Sequence, residues 1–264
     1  MNELVAYVSG IGVRGPGLCG WPETHAVLSG EQSWVWAETT LPVPDTLPPT
    51  ERRRTGRVVR LAFAAGLEAT RQANVDPAGL PVVFSSSSGD GDNCHEICQT
   101  LATANRALSP TRFHNSVHNA PAGYWSIATG SQVASTTICA YDASFAAGLL
   151  EAMVQMATHG TATALIAYDI DYPPPLRAVR AIAAPFAIAL VLEPEPGCNA
   201  LARLEVRLDT GDPDRVAHPD LNGMLSSIPA AQGLILLEAI AARRRTTLNV
   251  SYLQPQTLHI EVSP

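Results

Sequence analysis

Gln132-Val133-Ala134-Ser135-Thr136-Thr137-Ile138-Cys139-Ala140-Tyr141-Asp142-Ala143 runs into Ser144-Phe145-Ala146-Ala147-Gly148-Leu149-Leu150-Glu151-Ala152, and its reading decides the fold. The β-branched residues of Gln132–Ile138 predict a strand. The Ala/Leu/Met-rich stretch from Ala143 to Thr158 predicts a long helix, closed by His159-Gly160 with glycine as its C-cap. Ala164–Ala167 follows as a short apolar run, the pattern of a buried strand. A strand, a helix and a second buried strand in this order define an α/β unit.

The same alternation extends in both directions. Upstream, Leu4–Val8 predicts a strand ending at Ser9-Gly10, and Trp21–Leu28 a short helix. Trp34–Pro49, rich in proline and threonine, reads as surface loop. Val58–Asn74 carries Leu61, Ala64, Ala65, Leu67 and Ala69 at helical spacing. Pro81–Phe84 is a buried strand, followed by helices over Asp92–Ala107 and Pro121–Ala128. Downstream, Asp169–Pro185 is a proline-bearing loop and Ala187–Leu192 a second buried strand, with no helix between it and Ala164–Ala167. After Glu193–Pro196 a shorter version begins: a half-exposed strand over Leu201–Leu208, a helix over Pro229–Arg243, and a hairpin of Leu248–Tyr252 and Thr257–Val262 joined through Pro255. These elements predict a mixed, mostly parallel sheet covered on both faces.

Composition removes several function classes. The 264 residues are 46% hydrophobic and 16% charged, with net charge −7. An acidic chain offers no basic face to nucleic acid. The thin charge suggests that a partner covers some of the surface. No apolar run reaches the roughly 18 residues of a membrane span. Met1–Ser9 reads as a strand and not as a secretory leader. Five cysteines at irregular spacing, Cys19, Cys94, Cys98, Cys139 and Cys198, suit reduced thiols in a cytoplasm. Every basic residue is arginine; lysine is absent.

Several motifs have an ordinary and a functional reading. Cys94, His95 and Cys98 suggest a metal, but no second ligand pair follows at usable spacing, so no metal is expected. Ser85–Gly91 is a tight strand-to-helix turn without the lysine of a phosphate loop or the spacing of a dinucleotide fingerprint, so no cofactor is expected. Glu51-Arg52-Arg53-Arg54 is a solvated charge run or an anchor for a loop or an anionic group. Phe113-His114-Asn115-Ser116-Val117-His118-Asn119 spaces two histidines by four, yet Pro121 favours a hydrogen-bonded loop before a helix, with Asn119 as N-cap. Cys139, at a strand end ahead of a helix, is a small buried hydrophobe or a thiol nucleophile. A condensing thiolate also needs a base and donors for the developing negative charge.

Thr111–Ile127 (TRFHNSVHNAPAGYWSI) resembles the segment preceding the nucleophile strand of β-ketoacyl synthases, and Ser144–Ala152 the helix after the nucleophile. Val5–Gly12, Glu51–Arg60 and Val83–Gly91 match the same group more weakly. The resemblance covers residues 1–192 well and the rest loosely. It is narrowest to the short synthase-like proteins of aryl polyene and related polyketide pathways, where such a chain serves as chain length factor beside a true ketosynthase. It implies a thiolase-like fold, layered α-β-α-β-α, with the first half (residues 1–196) intact and the second (residues 197–264) reduced within one unit.

The departures from the family imply that catalysis is lost. Counting back from His159-Gly160 places the family's nucleophile position at Ala143, with Cys139 four residues early. Ser226 stands where the second catalytic histidine belongs, and the accompanying lysine is missing. His159-Gly160-Thr161 imitates the first histidine motif in the wrong half. The implied role is a non-catalytic subunit, heterodimeric with a ketosynthase through Gln132–Ile138 and meeting an acyl carrier protein through that complex. Phe113, His114, Asn115, His118, Asn119, Tyr141 and Phe145 would wall the acyl tunnel or the interface. The alternative is a reduced condensing enzyme or acyltransferase using Cys139, with His114 or His118 as base.

Overall fold

The first strand explains much of the architecture. In the computed structural model, which describes residues 3–264, β1 runs from Leu4 to Gly15, well past the expected stop at Ser9-Gly10. Glycine weakens a strand in isolation, but Gly10 and Gly12 let a helix lie directly on this one. A Cβ on Gly10 would sit 2.1 Å from the Ala69 carbonyl oxygen, and one on Gly12 2.0 Å from that of Ala65. The helix is α2, Arg57–Ala73, after the shorter α1, Trp21–Leu28. Asn74 ends α2 in the left-handed conformation, as a C-cap residue often does.

The remaining strands are β2 (Leu18–Cys19), β3 (Val82–Ser85), β4 (Ser135–Ile138), β5 (Thr163–Asp169), β6 (Phe186–Glu193), β7 (Ala202–Asp209), β8 (Thr246–Ser251) and β9 (Thr257–Ser263). They form one sheet in the order β4-β3-β5-β6-β1-β7-β9-β8, with β2 beside β1. Among the described residues the β3–β4 and β3–β5 pairings are parallel, and β1–β2, β5–β6, β6–β1, β1–β7, β7–β9 and β9–β8 are antiparallel. The expectation of a mostly parallel sheet is corrected. Parallel pairs need a crossover, usually a helix, and the 170–185 return between β5 and β6 holds only the short turn Pro174–Arg177.

The other main helices are α3 (Gly91–Leu101), α4 (Ala120–Thr129), α5 (Ser144–His159) and α6 (Gly233–Ala241). Helix α3 stops six residues before the expected Ala107, because Ala102–Ala107 is exposed and gains nothing from continuing. Helix α6 is preceded by a 3-10 turn, Pro229–Gln232, and ends before the arginine triplet, where Arg243 is left-handed. Two cores result. On one face Leu61, Phe63 and Ala65 of α2 meet Phe84, Ile166, Val191 and Trp125. On the other, Phe145, Leu149 and Met153 of α5 merge with Leu234 and Leu237 of α6 and with β6 and β7–β9. A full five-strand unit with two covering helices thus continues into a three-strand remnant covered by α6.

Candidate functional site

The β4–α5 connection turns at Tyr141, where the backbone is left-handed (φ 52°). An L-residue adopts this conformation at a cost, and surrounding contacts hold it. Ser144 Oγ donates to the Tyr141 carbonyl at 2.7 Å and accepts from Ala140 N–H at 3.1 Å. Ala143, the position reached by counting back along the helix, lies buried behind the turn. The apex of the elbow is therefore Tyr141, whose side chain is 59% exposed.

Arg180 lies over that ring, its guanidinium carbon 4.0 Å from the centroid. It donates to Tyr172 Oη (2.8 Å), Ser87 Oγ (3.3 Å) and Asp142 Oδ1 (2.5 Å). Tyr141 borders a cavity of about 320 Å³ lined by Asp142, Arg180, Leu225, Ser226, Ser227 and Gln232 among others. Ser226 lines the same cavity as Tyr141. Its hydroxyl donates to the Gly223 carbonyl (3.0 Å), and so does that of Ser227 (2.8 Å). No thiol and no imidazole lines this cavity among the described residues.

Beneath the elbow, Asp169 ends β5 fully buried. One carboxylate oxygen accepts from Ser87 N–H (2.9 Å), Ser87 Oγ (2.6 Å) and Ser86 Oγ (3.4 Å), and the other from Ala230 N–H (2.8 Å). Burial pushes this carboxyl up to about 6, opposed by the hydrogen bonds from Ser87 and Ala230. Asp169 thereby ties β5, the serine turn after β3 and the turn before α6 at one point. Sequence reading missed both Asp169 and Arg180. The available signal for Asp169 was a carboxylate ending an otherwise apolar strand.

The expected site residues separate into three groups. Tyr141 is at the elbow, whereas Phe145 is in the core, its ring against Gly233. Phe113 (66% exposed) and His114 lie on a short helix, Pro110–His114, that sequence reading took as loop. Asn115 is buried and satisfied: its amide donates to the Arg54 carbonyl (2.8 Å) and its oxygen accepts from Tyr124 Oη (3.0 Å). His118 lies past that helix, with Nε2 3.2 Å from the Ser86 carbonyl oxygen, so the histidines do not share a helical face. Asn119 occupies the N-cap of α4 without a side-chain cap bond.

Cys139 is exposed, and its thiol donates to the Ser87 carbonyl at 3.3 Å. That proton goes to an amide oxygen and not to a base. His159-Gly160 is the end of α5, with Gly160 left-handed (φ 65°), which accounts for the lookalike motif. Cys94 and Cys98 are exposed on α3. The Glu51–Arg54 run anchors a loop: Arg52 donates to the carbonyls of Asp45 (2.9 Å) and Leu47 (3.0 Å).

A strand, a tight elbow and a helix, set in a mixed sheet covered on both faces, make up a thiolase-like fold. The model of the beta-ketoacyl synthase N-terminal domain matches residues 27–250, and the chain belongs to that family. Among solved structures, a chain of the ketosynthase (ApeO) in complex with its chain length factor (ApeC) from Xenorhabdus doucetiae is 22% identical. The match covers 98% of this chain and 99% of that one, with a TM-score of 0.75. A chain of AntDE:AntF, described as a type II PKS acyl-carrier protein in complex with its ketosynthase, is 12% identical over 99% of both chains, at 0.75. A chain of the ishigamide ketosynthase/chain length factor is 13% identical over 98% of both, at 0.68. At these identities the likeness establishes the thiolase-like fold. No curated protein matches the chain. No helix among the described residues is long and apolar enough to cross a membrane.

Proposed function

We propose that this chain is a non-catalytic, chain-length-factor-like subunit that pairs with a β-ketoacyl synthase in polyketide, aryl polyene or fatty-acid-type biosynthesis in the cytoplasm. One observation carries the reading. The elbow that presents the nucleophile in this family presents Tyr141, capped by Arg180, and the hydroxyls of Ser226 and Ser227 in the same cavity are engaged with backbone. Acyl condensation needs a nucleophile and a base in contact, and this cavity supplies neither. In this reading residues 1–196 form the synthase-type half and residues 197–264 its reduced counterpart.

The open edge of the sheet supports a partner. Among the described residues strand β4 pairs only with β3, and Ile127, Val133 and Val154 are exposed hydrophobics on α4, beside β4 and on α5. An unpaired edge flanked by apolar side chains favours strand addition from another chain. The structural neighbours, a ketosynthase with its chain length factor and an acyl-carrier protein with its ketosynthase, support both expected partners.

The test is co-expression with a ketosynthase encoded by the same genome, followed by size-exclusion chromatography and condensation assays. A stable one-to-one complex is expected, active only while the ketosynthase cysteine is intact. The double variant Ile127→Glu/Val133→Glu, at positions whose exposure spares the fold, is expected to weaken the complex at least about tenfold. In the intact pair, Tyr141→Ala is expected to alter product length. Phe145→Ala is less informative, since truncating a buried phenylalanine costs about 3–5 kcal/mol. Thioester turnover by the lone chain, lost in Cys139→Ser, would overturn the reading in favour of a reduced enzyme.

A further inference from the structure

On the α2 side of the sheet, a cavity of about 410 Å³ opens between that helix and the proline-bearing segment before it. It shares no lining residue with the cavity at Tyr141. Phe63 and Leu67 of α2, with Val75 just beyond, supply one apolar wall; Pro42, Val43 and Pro44 supply the other. Phe63 is only 1% exposed, so the slot reaches the core. The proline wall is preformed. Proline fixes its own backbone, Arg52 holds the carbonyls of Asp45 and Leu47 from outside, and the Leu47 side chain is buried. A slot built in this way binds without the cost of ordering itself.

Three charged side chains line the slot, and two of them are unengaged. Arg14 is neutralised by Glu68 at 2.6 Å. Arg71 donates only through Nε, to the Leu67 carbonyl (2.8 Å), and its terminal nitrogens have no partner among the described residues. The Asp45 carboxylate likewise accepts no hydrogen bond and forms no ion pair among the described residues. An apolar slot edged by one free cation and one free anion complements a molecule that carries both charges on a single apolar body. An α-amino acid is such a molecule. Its carboxylate takes paired hydrogen bonds from a guanidinium, and its ammonium pairs with a carboxylate. Proline and phenylalanine walls favour a planar ring as the body. We propose that this slot binds a free aromatic α-amino acid. Its carboxylate lies on Arg71, its ammonium on Asp45, and its ring between Phe63 and the Pro42–Pro44 segment. The site belongs to this chain alone, so it stands or falls independently of the ketosynthase pairing.

Titration calorimetry of the purified chain with L-phenylalanine tests it. Saturable one-to-one binding is expected, at least about tenfold tighter than for L-alanine, which lacks the ring. Phenylalaninamide and N-acetylphenylalanine each lose one charge and should bind about threefold more weakly. Two variants assign the charges. Arg71→Gln should weaken L-phenylalanine about threefold and leave phenylalaninamide unchanged. Asp45→Asn should weaken it about threefold and leave N-acetylphenylalanine unchanged. Both side chains are exposed, so both substitutions spare the fold. No saturable binding, equal affinity for L-alanine, or an equal loss of L-phenylalanine and phenylalaninamide in Arg71→Gln would each overturn the proposal.

Discussion

Gly12→Ala is expected to destabilise the protein by at least about 3 kcal/mol, lowering the unfolding temperature by roughly 6–9 °C. The added methyl would lie 2.0 Å from the Ala65 carbonyl oxygen and 2.8 Å from its carbon. Both atoms belong to the backbone of α2, so no rotamer change relieves the overlap, and the helix must lift from β1. Lifting α2 also opens its contacts with β5 and β6, including those of Leu61, Phe63 and Ala65. The same substitution at Gly123, on the exposed face of α4 with nothing within 4 Å of its added carbon, is the control. There alanine should raise stability by about 0.5–1 kcal/mol through its helix propensity. Equal behaviour of the two variants in urea unfolding would refute close approach as the reason for glycine in β1.

Asp169→Ala is expected to cost about 3–5 kcal/mol at pH 5. It leaves the Ser87 and Ala230 N–H groups buried and unpaired, at about 1–3 kcal/mol each, and adds a cavity. The pH dependence has a definite sign. Burial raises the folded carboxyl from 3.8 to about 6, so the native state holds this proton more tightly than the unfolded chain does. The resulting stability is fully present below about pH 4 and is lost as pH rises through 6, a change of about 3 kcal/mol. Asp169→Asn has no proton to lose. The wild-type unfolding free energy, taken relative to that variant, should therefore fall between pH 4 and pH 7. A flat difference would mean that Asp169 stays ionised throughout, held so by its four donors.

The elements around the elbow were legible because their signals are local. β-branched Ser135–Ile138, the Ala/Leu/Met helix α5 and its glycine cap each declare themselves within a few residues. What escaped depended on distant atoms. Ser9-Gly10 read as the end of a strand, since nothing nearby reveals that α2 passes over Gly10 and Gly12. Antiparallel β5–β6 was legible in the missing crossover helix but was outweighed by the run of apolar strands. The elbow apex was placed at Ala143 by counting, whereas the left-handed backbone sits at Tyr141, stabilised by Ser144. Arg180 lies in a loop noticed only for its prolines, and its partners are at Ser87, Asp142 and Tyr172.

Strand β1 also governs the order in which the molecule can assemble. Leu4 pairs with Val206 and Tyr7 with Glu193, so the first strand emerges from the ribosome long before its neighbours on either side. Until then only the two-residue β2 can pair with it, and the hydrophobic face of α2 has no β6 to cover it. Such high contact order slows folding and leaves an edge exposed during synthesis. The glycines that admit α2 also leave the early strand with weak β preference, so the nascent segment stays unstructured, and less prone to wrong pairing, until β6 and β7 are made.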